Sequence, residues 1–215
     1  MSVTSRIIIF LFATILIAAC SKKDKTAPVV SLKGDALVVV TLNAPYTDAG
    51  ATATDETDGE LTVETEGVVD TNFAGTYIII HSAADAAGNE AQATRIVVVR
   101  NEAEIYNGSY NTLSVTGTDT TYYTATSTIS NTLNRRIWLV GYSDVPTAAV
   151  YADLRHDTIT VPVQMVNAGT PLLLHSFSGS GFIKTISDHT VFEISFTDSV
   201  GGNVYNGTSV YTKMN

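Results

Sequence analysis

The chain has 215 residues, of which 45% are hydrophobic, and a formal net charge of −9. This acidic balance provides no basic footprint for nucleic acid and argues against electrostatic attachment to anionic headgroups, with Lys22-Lys23-Asp24-Lys25 as a local exception. We expect no nucleic-acid partner. Cys20 is the only cysteine, which excludes a disulfide within the chain. Each domain must therefore be held together by its own hydrophobic core.

The first 20 residues have the order of a bacterial lipoprotein signal. Residues 1–6 carry the basic Arg6, residues 7–17 form an apolar run, and Ala18 and Ala19 precede Cys20. A basic region, an apolar region and small residues in this order form a cleavable signal peptide. The run is shorter than the roughly 20 apolar residues that a transmembrane helix needs. We expect residues 1–19 to be removed and Cys20 to be lipidated, so that the lipid is the contact with the membrane. Residues 20–26 form the predicted tether.

Short apolar runs separated by turn residues extend from residue 27 to residue 100. The predicted strands are residues 29–32, 37–42, 77–80 and 96–99, with weaker alternation at 51–54 and 61–63. Pairs such as Asp58-Gly59 and Gly88-Asn89 accept positive φ at low cost and mark chain reversals. Six or seven strands at this spacing favour a β-sandwich of the immunoglobulin type.

Motifs in the same region resemble a known family. They are Thr26-Ala27-Pro28, Leu32-Lys33-Gly34, the run from Tyr46 to Ala53, Asp58-Gly59, Gly75-Thr76-Tyr77 and the run from Asp85 to Asn89. In this order they resemble the bacterial Ig-like domain of crystal toxins and surface proteins, with Ala49 where a proline is usual. The resemblance implies that residues 27–100 are a spacer or adhesion module without catalytic residues of its own.

Seven acidic residues lie close together in this domain. They are Asp48, Asp55, Glu56, Asp58, Glu60, Glu64 and Glu66. Calcium favours oxygen ligands, but the residue order of an EF-hand is absent, and alternate strand residues point to opposite faces. The sequence therefore favours solvated charges over a calcium site in residues 48–66, and both interpretations stay open at this point.

Eight further strands are predicted in residues 103–215, after a short polar linker. They are residues 109–116, 122–130, 137–142, 148–154, 158–165, 172–182, 191–197 and 204–211. Eight antiparallel strands with short turns favour an up-and-down barrel over a two-sheet sandwich. Pro162 cannot donate a ladder hydrogen bond and indicates an edge, a bulge or a strand end. The predicted fold class is all-β, with an Ig-like β-sandwich followed by an eight-stranded antiparallel barrel or sandwich.

Residues 103–215 also carry a resemblance of their own. The run from Thr158 to Gln164, the motif Ser178-Gly179-Ser180-Gly181 and the closing Tyr211-Thr212-Lys213 resemble the lipocalin-like C-terminal domain of Bacteroidetes lipoproteins. The resemblance implies where in the cell the protein is located, but it implies no biochemical activity. We expect a lipid-anchored protein of the outer membrane that faces either the surface or the periplasm.

The sequence offers no catalytic constellation. The four histidines, His81, His156, His175 and His189, are scattered over different predicted strands and turns. A hydrolase needs a nucleophile, a base and an orienting group within hydrogen-bond reach, and zinc needs several His or Cys at short spacing. Ser187-Asp188-His189 fits a polar turn better than a triad. We expect no enzyme, no cofactor and no metal.

Aromatic residues make ligand binding the leading hypothesis. Trp138 and eight of the ten tyrosines lie in residues 103–215. Flat rings stack on sugars and fill apolar pockets, although they also suit strands and cores. The candidate ligand-binding residues are Trp138, Tyr142, Tyr151 and Tyr123.

Three functions follow from these observations. The first is a non-catalytic lipoprotein whose Ig-like spacer presents a distal β domain to a ligand, with glycan capture in an uptake system as its specific form. The second is a structural or adhesion component that contacts another envelope protein. The third is a carrier of a small amphipathic molecule. An exposed row of aromatic rings favours the glycan, and a hollow apolar interior favours the carrier.

Overall fold

The structure is a computed structural model that describes residues 24–214. The predicted signal peptide, Cys20 and the first part of the predicted tether lie outside the described residues. Within them the chain forms strands and one short 3-10 helix, which confirms the all-β prediction. No helix of residues 24–214 is long and apolar enough to cross a membrane.

Seven strands form two sheets in the N-terminal part. The strands are β1 (Val29–Leu32), β2 (Leu37–Thr41), β3 (Ala51–Asp55), β4 (Gly59–Leu61), β5 (Glu64–Glu66), β6 (Gly75–Ala84) and β7 (Glu90–Arg100). One sheet has the order β1-β3-β4 and the other β2-β7-β6-β5, with β2 parallel to β7. Leu42, Ile79 and Val97 are buried at the centre of a hydrophobic core. The predicted Ig-like arrangement is confirmed.

A buried arginine organises one end of this domain. Arg95 is 1% exposed, and its guanidinium donates to the backbone oxygens of Lys33 at 2.6 Å and Asp35 at 3.0 Å. It also forms an ion pair with Asp48. Burial would raise the pKa of the Asp48 carboxyl, but the hydrogen bonds from Arg95 and from the Gly50 amide outweigh it and lower that pKa. Asp48 therefore stays charged and ties the loop before β3 to β7.

Eight strands form a closed antiparallel barrel in the C-terminal part. They are β8 (Gly108–Thr116), β9 (Asp119–Ile129), β10 (Arg136–Tyr142), β11 (Val145–Arg155), β12 (Thr158–Ala168), β13 (Leu173–Ile186), β14 (His189–Val200) and β15 (Asn203–Lys213). Each strand pairs with the next, and β15 pairs back with β8. The barrel prediction is confirmed over the sandwich.

Aromatic side chains fill the barrel. Tyr110, Phe177 and Phe192 are fully buried, and the rings of Tyr110 and Phe192 stack at 5.1 Å between centroids. Tyr142 packs edge-on against Phe177 at 5.6 Å. The interior is a packed core of the kind that small barrels form from side chains. This filling disfavours the carrier hypothesis, which depends on a hollow interior.

The seam between β11 and β12 is closed by a side chain. The two strands pair over only three positions, and the register of β12 against β13 shifts between Val161 and Gln164. Pro162 lies at this shift, as its missing N–H predicts. The Gln164 amide donates to the Tyr151 carbonyl at 2.9 Å and accepts from the Tyr151 N–H at 3.0 Å. The side chain thus replaces ladder bonds that the backbone does not make.

The linker is hydrogen-bonded to the β9–β10 loop of the barrel. Residues Glu102–Tyr106 form the 3-10 helix, where the sequence predicts only a short polar connection. The Asn101 side chain, which is 1% exposed, donates to the carbonyls of Ser130 at 2.8 Å and Leu133 at 3.0 Å. Its oxygen accepts from the amides of Ala103 at 2.9 Å and Arg135 at 2.8 Å. One asparagine therefore binds both the linker and the β9–β10 loop.

A second asparagine, which belongs to the Ig-like domain, also forms hydrogen bonds with the β9–β10 loop. Asn43 donates to the Thr132 carbonyl at 3.1 Å and accepts from the Asn134 amide at 2.9 Å. The Ala74 amide donates to the Asn131 carbonyl at 2.8 Å. The β9–β10 loop is thus held by hydrogen bonds from two places in the Ig-like domain and from Asn101 in the linker.

We expect Gln164→Leu to lower the free energy of unfolding by about 1 to 3 kcal/mol, because it leaves the Tyr151 amide and carbonyl unpaired at the seam. Urea unfolding followed by far-UV circular dichroism measures this loss. Gln92→Leu is the matched control, because Gln92 is exposed on β7, and its cost should stay within about 0.5 kcal/mol. Equal costs for the two variants would contradict the role of Gln164.

We expect Asn101→Ala to cost about 2 to 4 kcal/mol, because four hydrogen bonds at a buried position are lost together. Thermal unfolding should begin at a lower temperature and resolve into separate transitions for the barrel and the Ig-like domain. Asn111→Ala, at an exposed position on β8, is the control. A single transition that both variants shift equally would show that Asn101 does not couple the two parts.

Candidate functional site

Two of the four candidate ligand-binding residues point into the barrel. Tyr142 is fully buried, and its hydroxyl donates to the Ser178 carbonyl at 3.1 Å. Tyr123 is half-buried, and its hydroxyl donates to the Ser143 carbonyl. Burial raises the pKa of Tyr123 to about 12 and raises that of Tyr142 as well. Both phenols stay neutral and take part in core packing.

A bulge explains why Tyr142 faces inward. Trp138 and Val140 point outward from β10, and simple alternation would place Tyr142 on the same face. The register of β10 against β11 shifts between Val140 and Tyr142, and Gly141 has a φ of 92°. A side chain at Gly141 would also lie within 2.9 Å of the Tyr123 ring. The glycine permits the bulge, which turns Tyr142 into the core.

The other two candidates meet on the outer wall. Trp138 on β10 pairs in register with Tyr151 on β11. Their rings lie 5.8 Å apart between centroids at an angle of 70°. Trp138 is 44% exposed, so nearly half of its surface is open to solvent, while its neighbours Ile137 and Leu139 are buried in the core. The strand alternation therefore presents the only tryptophan outward on a rigid element.

A charged pair lies directly beside the two rings. Arg136 pairs in register with Asp153, and the guanidinium binds the carboxylate through two hydrogen bonds of 2.6 and 2.8 Å. The hydrogen bonds to Asp153 raise the pKa of Arg136 further above its usual value. The guanidinium carbon also lies 4.1 Å from the centre of the Tyr151 ring. We call Arg136, Trp138, Tyr151 and Asp153 the aromatic platform.

The aromatic platform continues into a groove. Asn134, Arg135, Asp153, Arg155 and His156 line a groove of about 420 Å³ at one end of β10 and β11. On the other side of Trp138 lies Thr128 of β9, which pairs with it in register. The rings are thus bordered by hydroxyl, amide, guanidinium and carboxylate groups. This combination can stack on a flat apolar face and form hydrogen bonds with the groups around it.

A second groove lies on the outer wall of β12, β13 and β14. It measures about 460 Å³ and is lined by Thr160, Ser180, Phe182, Glu193 and Ser195 among others. The Ser-Gly-Ser-Gly motif shapes this wall, because a side chain at Gly181 would overlap the Glu193 carbonyl at 1.8 Å. A side chain at Gly179 would overlap the Tyr142 hydroxyl at 2.1 Å. The glycines of the motif therefore serve packing and strand contact.

Comparison with known proteins finds a family match in the N-terminal part. Residues 30–99 match the family described as the Ig-like domain of bacterial surface proteins. This part of the chain is similar to the domains of that family. The comparison with curated proteins found no match. The resemblance of residues 103–215 to the lipocalin-like domain stays a prediction.

Two solved structures resemble the chain in outline. A lipoprotein from Bacteroides thetaiotaomicron is 15% identical with a TM-score of 0.34, and the match covers 87% of this chain and 100% of that one. The structure of the CBM51-2, in complex with GlcNAc, and INT domains of ZmpB from Clostridium perfringens is 10% identical with a TM-score of 0.28. That match covers 86% of this chain and 44% of the other. At these TM-scores neither likeness carries information on function.

Proposed function

We propose that the protein is a non-catalytic lipoprotein of the outer membrane in which the bacterial surface Ig-like domain holds a carbohydrate-binding barrel away from the membrane. The observation that carries the proposal is the aromatic platform, which combines a half-exposed tryptophan with a hydrogen-bonding ion pair. The signal sequence that ends at Cys20 supports the lipid anchor. Two or more acyl chains attach a protein far more firmly than a single chain does.

The aromatic platform is organised in advance for binding. Asp153 fixes Arg136 through two hydrogen bonds, Arg136 lies over the Tyr151 ring, and Tyr151 supports Trp138 from its edge. Each contact restricts the next side chain, so little rotamer freedom is left for a ligand to remove. A sugar ring would stack its C–H groups on the exposed surface of Trp138.

The charged pair can still bind hydroxyl groups while it stays intact. The two hydrogen bonds use the Nε and one Nη of Arg136, which leaves the other Nη free to donate. Each oxygen of Asp153 keeps a lone pair that can accept from a sugar hydroxyl. Because Asp153 is held by a guanidinium, it acts as an acceptor in this proposal and not as an acid catalyst. A net charge of −9 favours a neutral glycan over a polyanionic one.

A specific observation favours a second candidate, a structural component of an envelope assembly. The outer face of the β2-β7-β6 sheet exposes Leu37, Val39, Ile78 and Ile96 at 41 to 59% of their surface. Leu37 and Ile78 both pair in register with Ile96, so these side chains form one continuous apolar strip. Contiguous apolar patches of this kind mark surfaces that contact other proteins. In this function the strip, and not the barrel wall, would carry the contact.

Fluorescence of Trp138 tests the carbohydrate-binding proposal, because it is the only tryptophan and lies in the aromatic platform. The full chain in a non-ionic detergent would be titrated with a panel of neutral polysaccharides and oligosaccharides. We expect a saturable change with at least one of them. Tyr151→Ala should weaken this binding by about tenfold or more, because loss of a well-packed aromatic contact costs about 1.4 kcal/mol or more.

Tyr122→Ala is the matched control for this titration. Tyr122 is 77% exposed on β9 and lies outside the aromatic platform, so its removal should leave the affinity unchanged. A panel that produces no change in fluorescence would contradict the proposal and favour the structural candidate. Equal binding by the Tyr151→Ala variant and the unaltered protein would place the sugar elsewhere.

A further inference from the structure

Three aspartates from separate segments converge at one end of the Ig-like domain. Asp24 precedes β1, Asp55 ends β3, and Asp85 follows β6 in the turn to β7. One carboxylate oxygen from each lies within 4.8 Å of the others. Only Asp55 belongs to the acidic stretch that the sequence analysis singled out. We call Asp24, Asp55 and Asp85 the aspartate cluster.

Two oxygens of the aspartate cluster are buried without a hydrogen-bond partner. Asp55 is 8% exposed, and its Oδ1 accepts from the amides of Thr57 at 2.8 Å and Asp58 at 3.0 Å. Its Oδ2 is buried and has no donor, and the Oδ2 of Asp24 is in the same condition. A buried carboxylate oxygen without a donor or a cation is strongly destabilising. These two oxygens therefore point to a ligand.

Within residues 24–214, no cationic side chain forms an ion pair with the aspartate cluster. Like charges this close together disfavour one another unless a positive charge lies between them. A bound cation supplies such a charge.

Asn89 holds two of the three segments together and leaves the unpartnered oxygens of Asp24 and Asp55 available. Its amide N–H and side-chain Nδ2 donate to Asp85 at 2.7 and 2.6 Å. The same Nδ2 also donates to the carbonyls of Asp24 at 3.3 Å and Thr26 at 3.1 Å. The segment before β1 is thereby fixed against the β6–β7 turn. The arrangement is organised before any ion binds.

We propose that the aspartate cluster binds one calcium ion. Calcium takes oxygen ligands at about 2.3 to 2.6 Å, so two oxygens on one ion can be at most about 5 Å apart, and the cluster meets this limit. A set of carboxylates without nitrogen or sulfur suits a hard cation. Magnesium prefers shorter distances and a strict octahedron, which a converging set of three carboxylates serves less well.

The position of the ion gives it a mechanical role. Asp24 lies four residues after Cys20, the predicted lipid attachment site. Calcium would bind this residue to β3 and to the β6–β7 turn at once. It would therefore fix the orientation of the Ig-like domain relative to the predicted tether that follows Cys20. This role is independent of any sugar bound by the barrel.

Calcium titration tests the proposal. The full chain in detergent would be stripped with a chelator and titrated with calcium chloride in a calorimeter. We expect saturable binding of one ion per chain and a higher melting temperature in calcium than in chelator, because an ion that binds only the folded state stabilises it. Asp55→Asn and Asp85→Asn should each weaken binding by about tenfold or more. Both keep the shape of the side chain. Asp55→Asn can still accept both amide hydrogen bonds on its one oxygen, whereas Asp85→Asn loses one of its two bonds from Asn89, because each oxygen of Asp85 accepts one of them.

Glu66→Gln is the matched control, because it removes one charge from an exposed position on β5 of the same domain. It should bind calcium as the unaltered protein does. If an asparagine variant fails to fold by circular dichroism, Asp24→Asn decides the test, since Asp24 lies outside every strand. An absence of saturable binding would overturn the proposal, as would equal affinity in Asp24→Asn or Asp55→Asn. Magnesium binding with equal affinity would overturn the assignment to calcium.

Discussion

The four hydrogen bonds of the Asn101 side chain hold the linker against the β9–β10 loop and so set where the barrel begins relative to the Ig-like domain. An amide side chain can donate two hydrogen bonds and accept two, and Asn101 uses all four at a buried position. It follows β7, caps the 3-10 helix and holds the β9–β10 loop. One of its partners, the Arg135 amide, immediately precedes Arg136 of the aromatic platform. The position of the platform relative to the Ig-like domain is thus set by a few fixed contacts.

The closed barrel provides the second level of organisation. Its inward side chains form a packed aromatic core, and its outward side chains are free to carry chemistry. Strands hold such side chains more firmly than loops do, because their neighbours on both sides are hydrogen-bonded. Because the interior is filled by side chains, the candidate site lies on the outer wall of the barrel and not inside it. The outward side chains of β10 and β11 that form this site are the rings of Trp138 and Tyr151 and the ion pair of Arg136 and Asp153.

Much of the fold could be predicted from the sequence because strand alternation is a local signal. All eight barrel strands were predicted near their observed positions, and Pro162 correctly marked an irregularity. The 3-10 helix was missed, although its cap, the bond from the Ala103 amide to the Asn101 side chain, is local. The contacts of Asn101 with the β9–β10 loop are not local, and no sequence pattern indicates them. The lipid anchor at Cys20 lies outside the described residues and stays a prediction.

The candidate site could be predicted only in part. Trp138 and Tyr151 were chosen for their ring chemistry, but their partners Arg136 and Asp153 depend on the register between β10 and β11, which no local pattern provides. Tyr142 follows the alternation of Trp138 until the bulge at Gly141 reverses it. The aspartate cluster was missed for a similar reason, because Asp24, Asp55 and Asp85 are brought together only by the fold.

A glycan array probed side by side with the unaltered full chain and the Trp138→Ala variant measures whether the aromatic platform binds carbohydrate. We predict that the unaltered protein binds a defined set of neutral glycans and that the variant loses this binding while its circular dichroism spectrum is unchanged. Binding of the same glycans by both proteins, or of none by either, would contradict the claim that the aromatic platform is a carbohydrate-binding site.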